Sequence, residues 1–454
     1  MTSSALSSRL PNIVFAFADQ WRYQATGFGG DPNVRTPCLD RLSESSLNFA
    51  NCISGSPVCC PARASLLTGQ FPLTHGVFLN DVQLPLDRPS MGQAFAQAGY
   101  DTAWIGKWHI DGRGRSSYIP PDRRRGFAFW RAQECCHSYN QSRYWTESGE
   151  ERTWDGYDAT AQTREACRYI QEHARGPRPF LLVLSWGPPH NPYQTAPQQF
   201  RRMYDPQRLV LRPNVPAEYH DKARTDLAGY YAHCSALDEC VGMLVAALDQ
   251  ARIAEDTILA FWSDHGDMLY SQGAQRKQQP WEESVRVPLL VRYPAALGRQ
   301  GRMIDAPIDT PDLLPTLCDL AGVAVPAGVQ GVSHCAHLRD GAAAARDAVL
   351  LACYAPFGEW TRKVGGREYR GVRTRRYTYA RSLDGPWLLY DNAADPYQMK
   401  NLVNDADSAA VRADLEARLA QLLAANGDRF ESGWQYIRRW GYPTDADGTV
   451  PYTQ

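Results

Sequence analysis

The sequence predicts an α/β protein with a large, mostly parallel sheet flanked by helices and a smaller C-terminal α+β domain. Apolar, β-prone segments alternate with helical segments through roughly the first three quarters of the chain, and this alternation is typical of parallel sheets. Several apolar segments end in polar clusters, as buried parallel strands do at a binding site. The chain has 454 residues, which exceeds one average domain and favours a large domain with a smaller companion.

Four predicted strands and four predicted helices define the first domain. The strands span residues 12–18, 102–105, 180–185 and 257–262. The helices span residues 90–98, 158–173, 225–251 and 310–321. Ligands bind beyond the carboxyl ends of parallel strands. The polar residues that follow these strands are therefore expected to form one site.

The sequence changes in character near residue 345. Short β-like segments cover residues 371–379 and 387–390, and a helical segment covers residues 409–424. We predict a catalytic domain over residues 1–345 and a small domain with an antiparallel sheet and a helix over residues 346–454. The Ala-rich residues 341–345 would link the two.

Composition excludes several classes of partner. The formal net charge is -1 and no long tract of one sign would follow a polyanion, so we expect no nucleic-acid partner. No apolar stretch reaches membrane-spanning length and residues 1–11 lack a secretory signal, so we expect a cytoplasmic protein with no membrane partner. The twelve cysteines lack the density of a disulfide scaffold and are expected to be mostly reduced. The oligomeric state stays open.

The most specific segment is PVCCPARASLLTG, residues 57–69. It resembles the C-x-P-x-R signature of the type I sulfatases of the alkaline phosphatase superfamily, with Cys59 and Arg63 at two of the fixed places. Read as five residues alone, the motif fits a buried cysteine before a helix equally well; the continuation through Ser65 and Gly69 favours the sulfatase. The resemblance implies an alkaline-phosphatase-like fold, conversion of Cys59 to formylglycine by a formylglycine-generating enzyme, and an Arg63 side chain that polarises the aldehyde hydrate.

The metal-binding pairs of the family are matched by Asp19-Gln20 and Asp264-His265. Taken singly, Asp19 could cap a helix and His265 could be an interior histidine. Together with Cys59, the resemblance implies that they hold one divalent cation. Gln20 replaces the more common aspartate, so the site has two carboxylates and an imidazole; we place Ca²⁺ first and Mn²⁺ second.

The resemblance also assigns the remaining catalytic positions. Lys107 would neutralise the sulfuryl oxygens and His109 would act as general base, His190 would be the general acid, and Lys277 would bind the substrate. Singly, the lysines could be surface residues and His109 a buried structural histidine. His75 also matches a family motif, but its place points to packing beneath the site.

The function that this resemblance implies is hydrolysis of a small-molecule or carbohydrate sulfate ester to alcohol and sulfate. Gln20 and His265 leave open a phosphonate monoester or phosphodiester hydrolase, which the Gly106–His109 segment disfavours. An unconverted Cys59 would leave a non-enzymatic binding protein. Within the insert at residues 111–154, the arginines at 123–125 are expected on a solvated face, with a substrate-recognising lid as the alternative.

Overall fold

The computed structural model describes residues 10–452. The strands are β1 (Asn12–Asp19), β2 (Leu47–Phe49), β3 (Cys52–Ile53), β4 (Asp101–Lys107), β5 (Phe129–Gln133), β6 (Arg143–Thr146), β7 (Glu151–Thr153), β8 (Phe180–Pro189), β9 (Thr257–Ser263), β10 (Leu289–Arg292), β11 (Arg302–Ile304), β12 (Ile308–Asp309), β13 (Ala348–Cys353), β14 (Tyr369–Thr374), β15 (Tyr377–Ser382) and β16 (Gly385–Asp391).

The helices are α1 (Pro37–Ser43), α2 (Cys59–Thr68), α3 (Pro72–His75), α4 (Met91–Gln97), α5 (Asp158–His173), α6 (Gln198–Arg201), α7 (His220–Ala251), α8 (Glu282–Val285), α9 (Pro294–Leu297), α10 (Leu313–Ala321), α11 (Cys335–Asp340), α12 (Ala409–Ala425) and α13 (Gly433–Trp440). Among the described residues, no helix is both long and apolar enough to cross a membrane.

The large sheet confirms the predicted α/β class. Its ten strands run in the order β11-β2-β10-β9-β1-β8-β4-β5-β6-β7. The five adjacent strands from β9 to β5 run parallel to one another, whereas β10, β6 and β7 pair antiparallel nearer the edges. β1 lies at the middle, so its carboxyl end is at the centre of the sheet.

Both faces of the large sheet are covered. Along β1, Ile13, Phe15 and Phe17 belong to the apolar cluster on one face, and the intervening residues belong to the cluster on the other. This alternation follows from the two-residue period of a strand. Leu244 of α7 packs in the second cluster and Leu314 of α10 in the first. A strand buried on both faces reads as a continuous apolar run, which is why β1 was predictable.

A second sheet of four antiparallel strands, β13-β14-β15-β16, follows in the C-terminal part. Leu415 and Leu419 of α12 cover one face, and Ile53 and Val285 from the first part of the chain pack on the other. The single β-like segment predicted at 371–379 is in fact the adjoining parts of β14 and β15, which the Thr374–Tyr377 hairpin connects. The proposed domain boundary at residue 345 falls between α11 and β13.

The predicted solvated face at residues 123–125 is wrong for Arg124 and Arg125. Arg124 and Arg125 are both 3 % exposed. Arg124 donates to the carbonyl of Ile119, and Arg125 donates to the carbonyls of Pro85 and Leu86. These guanidinium groups therefore satisfy backbone acceptors, a role that the sequence does not reveal because it depends on how the surrounding loops fold.

Candidate active site

The central strands deliver their last residues to one buried site. Asp19 ends β1, Lys107 ends β4, and Asp264 follows β9. His190 follows β8. Cys59 begins α2, a helix in which every residue is buried. The residues that sequence analysis selected from separate segments are thus brought together.

Two glycines allow these strand ends to approach their neighbours. A Cβ atom at Gly106, whose φ is +99°, would lie 2.0 Å from the carbonyl oxygen of Ser185. A Cβ atom at Gly266 would lie 2.0 Å from the carbonyl oxygen of Glu283. Both positions therefore require glycine beside the site.

Four side chains form a cluster of potential metal ligands. The donor atoms of Asp19, Cys59, Asp264 and His265 all lie within 4.8 Å of one another, and all four residues are buried. His265 Nδ1 donates to the carbonyl of Gly266 at 2.9 Å, so its Nε2 lone pair faces the carboxylates. Nε2 lies 3.5 Å from Asp19 Oδ1 and 3.7 Å from Asp264 Oδ1. Carboxylate oxygens with one imidazole nitrogen suit a divalent cation.

Gln20 lies beside this cluster in a fixed orientation. Its Nε2 donates to Asp267 Oδ2 at 2.7 Å, and its Oε1 accepts from Lys277 Nζ at 3.0 Å. Tyr193 also donates to Asp267 Oδ2, at 2.5 Å. The amide oxygen is thereby directed to Lys277, whose ammonium also contacts Cys59 Sγ.

Different neighbours set the pKa values of the two carboxylates, Asp264 and Asp19. Burial, followed by the negative charge of Asp19, raises the pKa of Asp264 to about 6. Burial also opposes ionisation of Asp19, but the positive charges of Lys107 and Arg63 hold its pKa well below the ordinary value. The pair therefore favours one full negative charge and a second that a cation would stabilise.

Cys59 Sγ lies at the centre of these groups. It is 3.2 Å from His265 Nε2, 3.6 Å from Asp19 Oδ1 and 3.4 Å from Lys277 Nζ. Burial and Asp19 would raise the pKa of the thiol, but the positive charges of Lys107 and Lys277 lower it well below the ordinary value. An anionic group is thus stabilised at this position.

Arg63 holds the two carboxylates in place. Its Nε donates to Asp264 Oδ2 and its Nη2 to Asp19 Oδ2, both at 3.1 Å. Its Nη1 donates to the carbonyl of Lys107 at 3.0 Å and to Ser185 Oγ at 2.7 Å. Lys107 Nζ makes a further contact of 2.6 Å with Asp19 Oδ2. The planar guanidinium matches four acceptors, which a lysine could not do.

His109 is held by an aspartate that sequence analysis missed. Its Nε2 lies 3.3 Å from Asp81 Oδ1, and Arg115 donates to both oxygens of the same carboxylate. Burial lowers the pKa of His109, but Cys135, Cys60 and Asp81 together hold it well above the ordinary value. Asp81 lies in a loop after α3, where no sequence pattern points to it.

Lys277 and His190 form a proton-bearing pair. Lys277 Nζ lies 2.9 Å from His190 Nε2, and His190 Nδ1 lies 2.9 Å from the carbonyl of Asn191. The Nδ1 atom therefore carries the imidazole proton and Nε2 accepts from the ammonium. Burial, Lys277 and His137 lower the pKa of His190 well below the ordinary value, so the ring is neutral.

An open cavity of about 390 Å³ leads to this cluster. The C-terminal part of the chain supplies some of its walls, namely Phe357, Gly358, Glu359, Thr449 and Tyr452. Gln278 fixes this contact, because its side chain donates to the carbonyl of Phe357 at 2.8 Å and accepts from the Phe357 amide at 3.3 Å. Both parts of the chain thus shape the entrance.

His75 lies where the sequence placed it, beneath the site. It is fully buried and its Nε2 lies 3.0 Å from Ser65 Oγ on α2.

Asp267 is a residue that could have been found, because it lies three positions after Asp264 in the same strand-end loop.

Two family models match the chain in comparison with known proteins. The "Sulfatase" family model matches residues 11–323, and the model "N-sulphoglucosamine sulphohydrolase, C-terminal" matches residues 272–425. The chain is 42 % identical over 438 residues to an ulvan-active sulfatase from Formosa agariphila, covering 95 % of this chain and 84 % of the relative.

Two solved structures have the same fold. A sulfatase from a Bacteroides thetaiotaomicron locus for glycosaminoglycan metabolism superposes with a TM-score of 0.84 at 26 % identity, covering 98 % of this chain and 100 % of the other. A phosphonate monoester hydrolase from Agrobacterium radiobacter gives a TM-score of 0.75 at 24 % identity, covering 92 % and 96 % of the two chains. The latter likeness shows the fold alone.

Proposed function

The chain belongs to the sulfatase family of the alkaline phosphatase superfamily, and we propose that it hydrolyses a carbohydrate sulfate ester through a formylglycine made from Cys59 and one divalent cation. Hydrolysis of sulfate esters is the activity of the family. The nucleophile, the cation and the carbohydrate are the parts that we propose.

The environment of Cys59 carries the proposal. Its Sγ contacts two potential metal ligands and one lysine at 3.2–3.6 Å, which is where a nucleophile must lie to meet an anionic ester. A formylglycine hydrate supplies two hydroxyls on one carbon, so that one attacks sulfur and deprotonation of the other releases sulfate. Because all of α2 is buried, the formylglycine-generating enzyme would have to act before folding.

The cation would be held by Asp19, Gln20, Asp264 and His265. When bound, it would polarise the sulfate oxygens and favour the deprotonated nucleophile. Three oxygen-bearing side chains with one imidazole favour Ca²⁺ ahead of Mn²⁺. Arg63 orients the two carboxylates through its paired hydrogen bonds, and Lys107 adds a positive charge beside them.

Departure of the alcohol needs a proton, and Lys277 holds one. In this structure His190 Nε2 accepts from Lys277 rather than carrying a proton itself. His190 therefore serves as general acid only after it takes the proton from Lys277, which refines the assignment of His190 alone. At the other side of the site, His109 accepts the hydroxyl proton in the step that releases sulfate.

Carbohydrate is the preferred substrate class because the relative with 42 % identity acts on ulvan. The phosphonate monoester alternative depends on Gln20 and His265, and its structural likeness is more distant. A sulfate monoester carries one charge, so a site with one fewer carboxylate is compatible with either reaction. Substrate turnover must separate the two.

The experiment uses protein in which mass spectrometry has established conversion of Cys59. We expect kcat/KM for an aryl sulfate to exceed that for the matched aryl phosphonate monoester, and sulfate to be released from ulvan oligosaccharides. Cys59→Ala should abolish both activities, while the control Cys167→Ala, at a half-buried cysteine of α5, retains them. A higher kcat/KM for the phosphonate would replace the sulfatase with the alternative, and full activity of Cys59→Ala would remove the nucleophile.

A further inference from the structure

A second cavity borders the active-site cavity. It has a volume of about 560 Å³, larger than the 390 Å³ of the cavity that contains Cys59. Arg115 and His137 line both cavities. The two spaces are therefore neighbours with a common wall of two side chains.

The ring of His137 lines both cavities and lies next to His190. It stacks on the ring of His190 with centroids 4.5 Å apart and planes at 3°. Since His190 is the residue proposed beside the leaving oxygen, the alcohol portion of a bound ester would lie on the His137 side. A bulky alcohol would extend past His137 into the second cavity.

The second cavity is lined by groups that suit sugar hydroxyls. Ser116 Oγ, Ser138 Oγ and the Gln141 amide make no hydrogen bond with any residue in the described range 10–452. Asn140 donates to the carbonyl of Thr195 at 2.9 Å, and its own amide oxygen has no donor from that range. These four side chains are exposed, so sugar hydroxyls, which both donate and accept, would replace water at them.

Arg115 adds a rigid donor at the junction. Its Nε and Nη2 are held by Asp81 at 2.9 Å, and its guanidinium lies 3.4 Å above the ring of Tyr452. Its Nη1 makes no hydrogen bond within the described part of the chain. An immobilised guanidinium with an unused nitrogen binds an oxygen acceptor at little cost in side-chain entropy.

We propose that the second cavity is a saccharide subsite that binds the sugar next to the sulfated one, on the leaving-group side. The substrate is accordingly an oligosaccharide or polysaccharide rather than a monosaccharide sulfate. This inference rests on the proposed sulfatase function and adds the substrate's minimum length and the residues that bind it.

The test fills the cavity without touching the catalytic groups. Ser138→Trp and Gln141→Trp each place an indole in the lining, and Gln300→Trp is the matched control because Gln300 is exposed and lines neither cavity. Two probes are compared, 4-nitrophenyl sulfate and a sulfated tetrasaccharide prepared from ulvan. We expect both cavity variants to lower kcat/KM for the tetrasaccharide at least about tenfold, to change kcat/KM for the aryl sulfate less than about twofold, and the control to change neither.

The outcomes separate this inference from the proposed function. If the wild-type protein hydrolyses neither probe, the proposed function fails. If it hydrolyses both and the cavity variants leave the tetrasaccharide unaffected, the subsite is absent. An equal loss on both probes would also overturn the subsite, because it indicates a disturbed fold. A wild-type kcat/KM that is higher for a sulfated disaccharide than for the matching monosaccharide sulfate supports the proposal, and equal values contradict it.

Discussion

Asp81 Oδ1 lies 3.3 Å from His109 Nε2, and this contact connects the proposed general base to Arg115 in the wall of the 390 Å³ cavity. The same carboxylate accepts two hydrogen bonds from Arg115. A buried histidine whose ring is fixed by a carboxylate has a set orientation and a raised pKa. Asp81 is therefore a positioning residue for His109.

Replacement of Asp81 by Asn tests this relationship. The loss of a negative charge lowers the pKa of His109, so the free base form persists to lower pH and the acid limb of the kcat profile moves to lower pH by about one unit. We expect kcat to fall about 10- to 100-fold, since general base catalysis contributes roughly 10²- to 10⁴-fold and only its orientation is lost. Asp87→Asn, at a side chain that is 73 % exposed, is the control. A fall in kcat with an unmoved acid limb would contradict the assignment.

Gln20 and Asp267 form a hydrogen-bonded pair of an amide and a carboxylate, and substitution can exchange the two side-chain types. Gln20→Glu would place a carboxylate oxygen where the amide now donates to Asp267 Oδ2 at 2.7 Å, and two like charges there repel. We expect Gln20→Glu to weaken Ca²⁺ binding measured by calorimetry and to destabilise the fold. Adding Asp267→Asn should restore both, with a coupling of about 1–3 kcal/mol. Strict additivity of the two substitutions would show that this contact does not determine the choice of glutamine.

Cation binding should depend on pH in the range set by Asp264. Burial and Asp19 raise the pKa of this carboxyl to about 6, and only the ionised form is a good ligand. Binding is then accompanied by proton release below that pH, so the dissociation constant of Ca²⁺ falls as pH rises from 5 to 7 and levels off above. Removal of the cation by a chelator should abolish activity and lower Tm, with recovery on addition of Ca²⁺. A dissociation constant that does not change between pH 5 and 7 would exclude Asp264 as a titrating ligand.

The residues that the sequence predicted and those that it missed differ in where they lie. Asp19 and Lys107 end buried strands, and Asp264 and His265 follow one. The geometry of a parallel sheet brings such residues together irrespective of loop conformation. Asp81 and the cavity-lining segment around His137 lie in loops, and their position depends on packing between segments that are far apart in sequence.

The arginines of the insert show the same limit of sequence-based prediction, because the sequence predicted exposure where the structure has burial. In the sequence, Arg124 and Arg125 belong to a run of charge of the kind that usually faces solvent. In the structure both are buried and donate hydrogen bonds to backbone carbonyl groups. Composition records the charge of a side chain but not its acceptors. Loop acceptors become known only when the tertiary structure is known.

Asp158 offers a test of stability that is independent of catalysis. This carboxyl lies in the first turn of α5, is 1 % exposed, and accepts from Ser142 Oγ at 2.8 Å, while its Oδ1 has no partner within residues 10–452. Burial raises its pKa to about 7. The folded state therefore binds more protons than the unfolded state between about pH 4 and 7, and stability falls as pH rises through this window.

Replacing Asp158 with Asn removes that titration. We expect little change in the free energy of unfolding at pH 5 and a gain of about 1–3 kcal/mol at pH 8, where the wild-type protein must bury an ionised carboxylate. Urea denaturation of the Ca²⁺-saturated protein at both pH values measures the difference, with the exposed Asp155→Asn as control. If the Asn variant is destabilised equally at pH 5 and pH 8, the lost interaction is a hydrogen bond and not a buried charge, because only the charge depends on pH.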